Sequence, residues 1–284
     1  MAEANPDVVE QLREFLGASG VRTEPDELIP DVIVKPSSTD EVAGVLKICS
    51  AAGQALVPLG GKSGLASGHY QTAGEIGLSL ERMNAIEEID TANRTMTVQA
   101  GCILQVAHEA AEEEGLLLPL DLGARGSATV GGNVATNAGG NMVIRYGMAR
   151  DMVLGLEVVL ADGTVVSSLN KMLKNNTGYD LKQWFIGAEG TLGIITRVVL
   201  RLRPLPRSQN TALLAVEDFP AVGKLLHWLD SRTAGTLSAF EVMWPEFYDF
   251  ITRDGGNHKP PLPRGSAHYV LVETLGSDPE ADAE

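Results

Sequence analysis

The chain is 284 residues long with a 44% hydrophobic fraction and mean hydropathy of +0.03, enough apolar material for about two domains with cores of their own. No window approaches the ~18 uninterrupted apolar residues of a helical membrane span, so that class is excluded. A net charge of −15 argues against a nucleic-acid partner, which needs clustered Lys and Arg, yet leaves room for a phosphate-bearing cofactor held by backbone N–H groups.

In chain order, Met1 to Leu16 is acidic and amphipathic and has neither the basic, apolar start of a signal peptide nor the Arg-rich character of a transit peptide. The expectation is an N-terminal helical segment over 1–30 and a cytoplasmic location. Asp31 to Lys35 reads as a strand stopped by Pro36, followed by a helix opening at Ser38 or Thr39, where Ser38 and Glu41 have capping-box spacing. Ala55 to Leu59 is a strand, then comes the loop Gly60-Gly61-Lys62-Ser63-Gly64-Leu65-Ala66-Ser67-Gly68. Ile76 to Leu80, Ala85 to Asp90 and Thr95 to Gln99 are further strands, and Leu104 to Glu114 is a helix ended by Gly115.

A glycine-dense stretch from Leu120 to Gly147 precedes a hairpin, Val153 to Leu160 and Thr164 to Ser167, turned by Asp162-Gly163. Leu181 to Phe185 reads as a short helix and Gly193 to Leu202 as a long strand. Arg203-Pro204-Leu205-Pro206-Arg207 carries two prolines and marks a linker over 204–210. Beyond it the pattern is strand (Ala212 to Val216), helix (Pro220 to Leu229), strand (Ser238 to Met243), helix (Pro245 to Thr252) and strand (Ala267 to Glu273). This run is too short to read as a finished domain, and an acidic tail follows.

Cys49 and Cys102 lack the close spacing of metal or redox pairs and read as buried small hydrophobes. His69, His108, His227, His258 and His268 have no metal-ligand spacing, so no metal site and no catalytic residue is assigned. The first glycine loop is neither a Walker nor a Rossmann loop, because Lys62-Ser63 lies mid-loop and a strand, not a helix, comes next. Alone it is more readily a flexible surface loop than an anion nest. The stretch Gly123 to Gly140 shifts that balance. Its glycines would let a large flat ligand approach the backbone, with Ser127, Asn133, Thr136 and Asn137 as hydrogen-bonding groups. Gly187-Ala188-Glu189-Gly190-Thr191-Leu192-Gly193-Ile194-Ile195-Thr196 adds a third glycine cluster feeding a buried strand.

Together these three segments resemble the FAD-linked oxidase family of the vanillyl-alcohol-oxidase type, from about Val32 through Arg203, near the D-lactate dehydrogenase, D-2-hydroxyglutarate dehydrogenase and glycolate oxidase flavin-subunit members. The resemblance implies an α+β fold: a two-subdomain PCMH-type FAD-binding domain over 31–203, with two α/β subdomains clasping FAD, then the first part of an α+β substrate-binding cap over 211–284. It implies that the first loop (Pro58, Leu59, Gly60, Gly61, Lys62, Ser63, Gly64, Leu65, Ala66 and Ser67) wraps the FAD diphosphate. The second (Ser127, Gly131, Gly132, Asn133, Thr136, Asn137, Ala138, Gly139 and Gly140) would line the ribityl chain and isoalloxazine ring. The third (Glu189, Gly190, Gly193, Ile194 and Ile195) would support the adenosine side. Relatives that attach flavin covalently use a first-loop histidine, absent from Gly61-Lys62-Ser63-Gly64, so the FAD is expected to be non-covalent, with His69 on the surface.

The implied chemistry is oxidation of a D-2-hydroxy acid to the 2-oxo acid by hydride transfer to flavin N5, with that acid and an electron acceptor as partners. The family's His-x-Gly-Asp-Gly-Asn-x-His-like segment, where a divalent metal would bind, does not occur in this sequence. Arg145 and Tyr146 adjoin the flavin loop, where they would either face the active site or serve structure. The sequence leaves two alternatives open: a non-catalytic FAD-binding subunit completed by a partner chain, and a reductase of the cell-wall precursor pathway that clasps FAD in the same way. Pro119 to Gly126 and Lys174 to Leu181 favour the hydroxyacid group. A homo-oligomer is equally open.

Overall fold

The computed structural model describes residues 4–23, 32–70, 72–253 and 259–283. The chain forms two compact units: Met1–Leu118, Gly123–Ala138 and Ala149–Pro204 make the first, and Pro119–Leu122, Gly139–Met148 and Leu205–Glu284 the second.

In the first unit α1 (Pro6–Leu16) starts at Asn5, whose side chain accepts the Asp7 N–H, and buries Val8, Val9, Leu12 and Leu16. After β1 (Val21–Arg22) and β2 (Ile33–Val34), α2 (Thr39–Ala51) begins at Ser38, whose Oγ accepts the Glu41 N–H. The Glu41 carboxylate closes the capping box one residue earlier than the spacing predicts, on the N–H and hydroxyl of Ser37. With β3 (Leu56–Leu59) and β4 (Ile76–Ser79) these strands form a sheet in the order β1-β2-β4-β3, parallel except for β1. Its core joins α1, α2, Ile76 and Leu78, and Val159 and Ile194 of the next sheet reach into it.

The second subdomain of this unit takes in β5 (Ile86–Asp90), β6 (Thr95–Gln99), α3 (Leu104–Glu113), β7 (Leu116–Leu117) and α4 (Val130–Ala135). The chain passes through α5 (Val143–Tyr146), which belongs to the second unit, and returns as α6 (Ala149–Met152), β8 (Val153–Val159), β9 (Val165–Ser168), α7 (Lys182–Phe185), β10 (Ile194–Arg201) and β11 (Arg203–Pro204). Strand order is β5-β6-β10-β8-β9, antiparallel throughout, so the expected α/β character holds for the first subdomain and not for this one. The physical reason is connection length: β5–β6 and β8–β9 are joined by tight turns, which only antiparallel neighbours allow. Gly163 sits at φ +80° in the second turn, and the Asp162 carboxylate accepts the Thr164 N–H.

Two other expectations change. The glycine-dense stretch read as irregular holds α4, because the Thr129 hydroxyl accepts the Gly132 N–H and Val130 and Val134 are buried. The proline-marked linker is partly ordered: Arg203 and Pro204 pair with Leu117 and Leu116, and Ser208 already pairs with Gly276.

The second unit is built on β12 (Ser208–Val216), α8 (Phe219–Arg232), β13 (Leu237–Met243), α9 (Pro245–Thr252) and β14 (His268–Gly276). β14 lies between β12 and β13 and is antiparallel to both, a split β-α-β arrangement. Asp218 caps α8 through the Ala221 N–H, and Val222 of that helix packs with Leu237, Val270 and Val272. The buried Tyr248 and Tyr269 rings stack 3.7 Å apart, and their hydroxyls donate to the carbonyls of Leu262 and Pro263.

Candidate cofactor site

The first and third glycine-rich segments and the second as far as Ala138 come together in the first unit. Each connection is a close backbone approach that glycine permits. A Cβ on Gly61 would collide with the Ser127 carbonyl, and one on Gly60 would lie 3.0 Å from Thr129 Oγ1 and 3.4 Å from Gly132 Cα. The first loop therefore rests on the second. A Cβ on Gly190 would lie 2.5 Å from Pro58 Cγ, and one on Gly68 would lie 2.7 Å from Glu189 Oε2, which brings the third segment against the first. The Glu189 and Gly187 N–H groups donate to the carbonyls of Ala135 and Val134, closing the third segment onto the end of α4.

This packing revises what the glycines signal. Gly131 is needed because Ala100 occupies the space of its Cβ, and Gly193 because Val158 and the Val159 carbonyl do. Gly64 has open space around it. Lys62, Ser67, Asn137 and Glu189 hold positive φ without being glycine, the kind of backbone that concentrates at functional turns. The backbone N–H groups from Gly60 through Ala66 have no hydrogen-bond partner among the described residues. Leu65 and Ala66 are exposed with them, while Pro58 and Leu59 belong to β3.

Of the four polar side chains expected on the second loop, the protein's own backbone occupies most. The Ser127 hydroxyl donates to the Ala124 carbonyl, the Thr136 hydroxyl donates to the Gly132 carbonyl, and Asn137 Oδ1 accepts the Arg150 N–H. Asn133 differs: it is buried and its Nδ2 has no partner among the described residues. Ala138 stays in the first unit, whereas Gly139 and Gly140 belong to the second, where Asp121 backbone fills the space of a Gly140 Cβ. Ile194 and Ile195 are core residues of β10, so that end of the third segment offers a ligand backbone and not side chains.

Two groups escaped sequence reading. Arg150 donates to the carbonyls of Gln183 and Ile186, so it ties the chain after the second segment to the chain before the third. Glu157 is a lone carboxylate in an apolar strand, a signal visible in the sequence once burial is known. Burial pushes its carboxyl up, but hydrogen bonds from Thr39 and Thr196 and the Arg197 guanidinium outweigh that and leave its pKa lowered. The distances are 2.6 Å from Thr39 Oγ1, 2.8 Å from Thr196 Oγ1 and 2.9 Å from Arg197 Nη1, all to Glu157 Oε1.

The remaining candidates disperse. In the second unit Arg145 Nη1 donates to the Leu275 carbonyl at 2.5 Å and lies 3.4 Å from that of Thr236, a structural role. His69 is half-buried beside Tyr70 rather than on the open surface, His108 is buried in α3, and His227 is exposed on α8. His268 is buried edge-on to Trp244, and His258 lies outside the described residues. Cys49 and Cys102 are free and buried, and burial pushes both thiols up to about 11. Among the described residues no helix is long and apolar enough to cross a membrane.

Residues 30–168 match the family model described as an FAD binding domain. The chain is 43% identical over 277 residues to the mitochondrial D-2-hydroxyglutarate dehydrogenase of Bos taurus, covering 93% of this chain and 51% of that protein. It is 39% identical over 292 residues to the probable mitochondrial D-2-hydroxyglutarate dehydrogenase of Oryza sativa subsp. indica, covering 98% of this chain and 52% of that one. The chain thus spans about half the length of these relatives. Their names carry the word mitochondrial, which lends the cytoplasmic expectation no support. Among solved structures, an alkyldihydroxyacetonephosphate synthase superposes with a TM-score of 0.80 at 20% identity, over 98% of this chain and 57% of that one.

Proposed function

We propose that this chain, which belongs to the FAD-linked oxidase family of the vanillyl-alcohol-oxidase type, holds FAD non-covalently as the flavin-carrying part of a D-2-hydroxy acid dehydrogenase. The observation that carries the cofactor reading is the run of N–H groups from Gly60 to Ala66 with no protein partner among the described residues, on a loop packed against two other glycine-rich segments. Such a run suits a diphosphate, and in a chain of net charge −15 it needs no lysine cluster. The second loop keeps only small residues from Gly131 to Ala138 apart from Val134, whose side chain turns into the core, so a flat ring system can lie along its backbone. The absence of a first-loop histidine supports non-covalent attachment.

Bound there, the flavin supplies the hydride acceptor for oxidising the alcohol carbon of a 2-hydroxy acid. The loops' part is to bind and orient it. Arg150 ties the second segment to the chain before the third, and Thr129 caps α4 within the second. The relatives' names support D-2-hydroxyglutarate as substrate ahead of D-lactate or glycolate.

A second reading, a flavin subunit whose site a partner chain completes, draws support from the second unit. There Phe219, Trp244, Phe247 and Phe250 are each more than half exposed, at 59%, 55%, 52% and 60%. Anaerobic addition of D-2-hydroxyglutarate, D-lactate and glycolate to the flavin-loaded chain separates the readings. Bleaching fastest with D-2-hydroxyglutarate supports the dehydrogenase reading for the chain alone. Flavin reduced only after a second polypeptide is supplied supports the partner reading. Flavin that no 2-hydroxy acid reduces under either condition overturns the substrate class.

A further inference from the structure

The Glu157 cluster takes no part in the cofactor contacts proposed above, yet it bridges the two layers that carry them. Thr39 is the first residue of α2, in the layer whose strand β3 runs into the first loop at Gly60. Glu157 and Thr196 belong to β8 and β10 of the other sheet. From Thr196 a direct backbone path leads to the second loop: its carbonyl accepts the Ala100 N–H at 2.9 Å, and the Ala100 carbonyl accepts the Gly131 N–H at 2.7 Å. Arg197 adds a second anchor, with its Nε 2.8 Å from Glu87 Oε1 on β5.

We infer that Glu157, reached by Thr39 from the opposite layer, is a positioning residue for the flavin, resting on the reading that these loops hold FAD. One buried carboxylate oxygen receives a hydroxyl from one subdomain and a hydroxyl and a guanidinium from the other. A carboxylate bonded from both sides fixes direction as well as distance, which the apolar contacts of Val159 and Ile194 with the same core do not. Those contacts keep the layers together when the bridge is cut, so loss of the bridge loosens the spacing between first and second loops without unfolding the chain. Apparent cofactor affinity then falls by the fraction of molecules still holding the productive spacing.

The test compares Thr39→Val, which keeps the side chain's shape and removes the bridging hydroxyl, with Thr39→Ser, which restores it. Val9→Ala in α1 serves as a control that lowers the stability of the same core without touching the cluster. The readouts are the FAD dissociation constant of the deflavinated chain, the visible circular dichroism of bound flavin, and the apoprotein melting temperature. Thr39→Val is expected to weaken FAD binding about tenfold and to alter the flavin dichroism, the scale set by one hydrogen bond to a charged group. Thr39→Ser should stay within about twofold of the parent, and Val9→Ala should lower the melting temperature with little change in affinity. If Thr39→Val does not fold, Glu157→Gln reads the same quantities. Parent-like FAD affinity in a folded Thr39→Val, or an equal loss in Val9→Ala, overturns the inference while leaving the cofactor reading intact. A parent chain that takes up no FAD overturns both.

Discussion

Gly61 and Gly64 stand three positions apart in the first loop, and their surroundings differ completely. The Gly61 Cα faces the Ser127 carbonyl with no room for a methyl group, whereas Gly64 faces open space. In the sequence both read as backbone left bare for a ligand, and only the fold separates a glycine needed by a neighbouring loop from one with space before it. Gly61→Ala should push the first loop off the second, at a cost of roughly 1–3 kcal/mol for an overpacked contact, and lower the flavin-to-protein ratio after purification. Full flavin content with an unchanged denaturation midpoint would show that the two loops need not touch. Glu157 is the other residue whose meaning depends on its surroundings. Its folded pKa is depressed, so its stabilising contribution is complete above the ordinary carboxylate range of about 4.3 and is lost as pH falls through the lower folded value. Glu157→Gln should therefore cost about 2 kcal/mol near neutrality, less as the solution is acidified. Denaturant midpoints across that range check the sign, and a gap that widens on acidification would contradict it.

Among the elements, the legible ones carry strong local signals. The Ser38 cap, the Asp162-Gly163 turn and the β-branched, apolar run of β10 are each written in a few consecutive residues, and boundaries there shift by only a residue or two. What stayed hidden depends on distant partners. In Val130 to Ala135 the one pair at helical spacing, Val130 and Val134, is masked by the two glycines between them, and Gly131 is explained only by the distant Ala100 that lies against it. Likewise Arg203-Pro204 becomes a strand because Leu116 and Leu117 offer an edge on which a proline without N–H is tolerated. Strand order could not be read either, since β10 pairs with β6 and β8 across long stretches of intervening chain. In α8, Gly223 is an exposed interior helix position with open space where a methyl group would stand, nothing lying within 4 Å, and it has no positive φ. Gly223→Ala should raise stability by about 0.5–1 kcal/mol through the lost freedom of the unfolded chain. A neutral or destabilising result by chemical denaturation would contradict the open, ordinary helical position of Gly223.

At the level of the whole molecule, the three ordered glycine clusters were legible in the sequence, because backbone segments that pack this closely on one another impose small residues over long windows. The relation among those clusters was not, because it runs through Ser127, Arg150 and Glu157, single residues with no local pattern around them. The fold alone does not choose a substrate: the alkyldihydroxyacetonephosphate synthase shares it, while the more similar sequences are named D-2-hydroxyglutarate dehydrogenases. Cofactor retention is thus the claim on which the rest depends. The most direct measurement is the absorbance spectrum of the purified chain, reconstituted with FAD if it arrives colourless, before and after unfolding and filtration. Flavin bands near about 370 and 450 nm that follow the protein when folded and pass the filter when unfolded are the predicted result. A chain that stays colourless after reconstitution while folded, or a yellow chain that keeps its flavin when unfolded, would contradict non-covalent FAD binding.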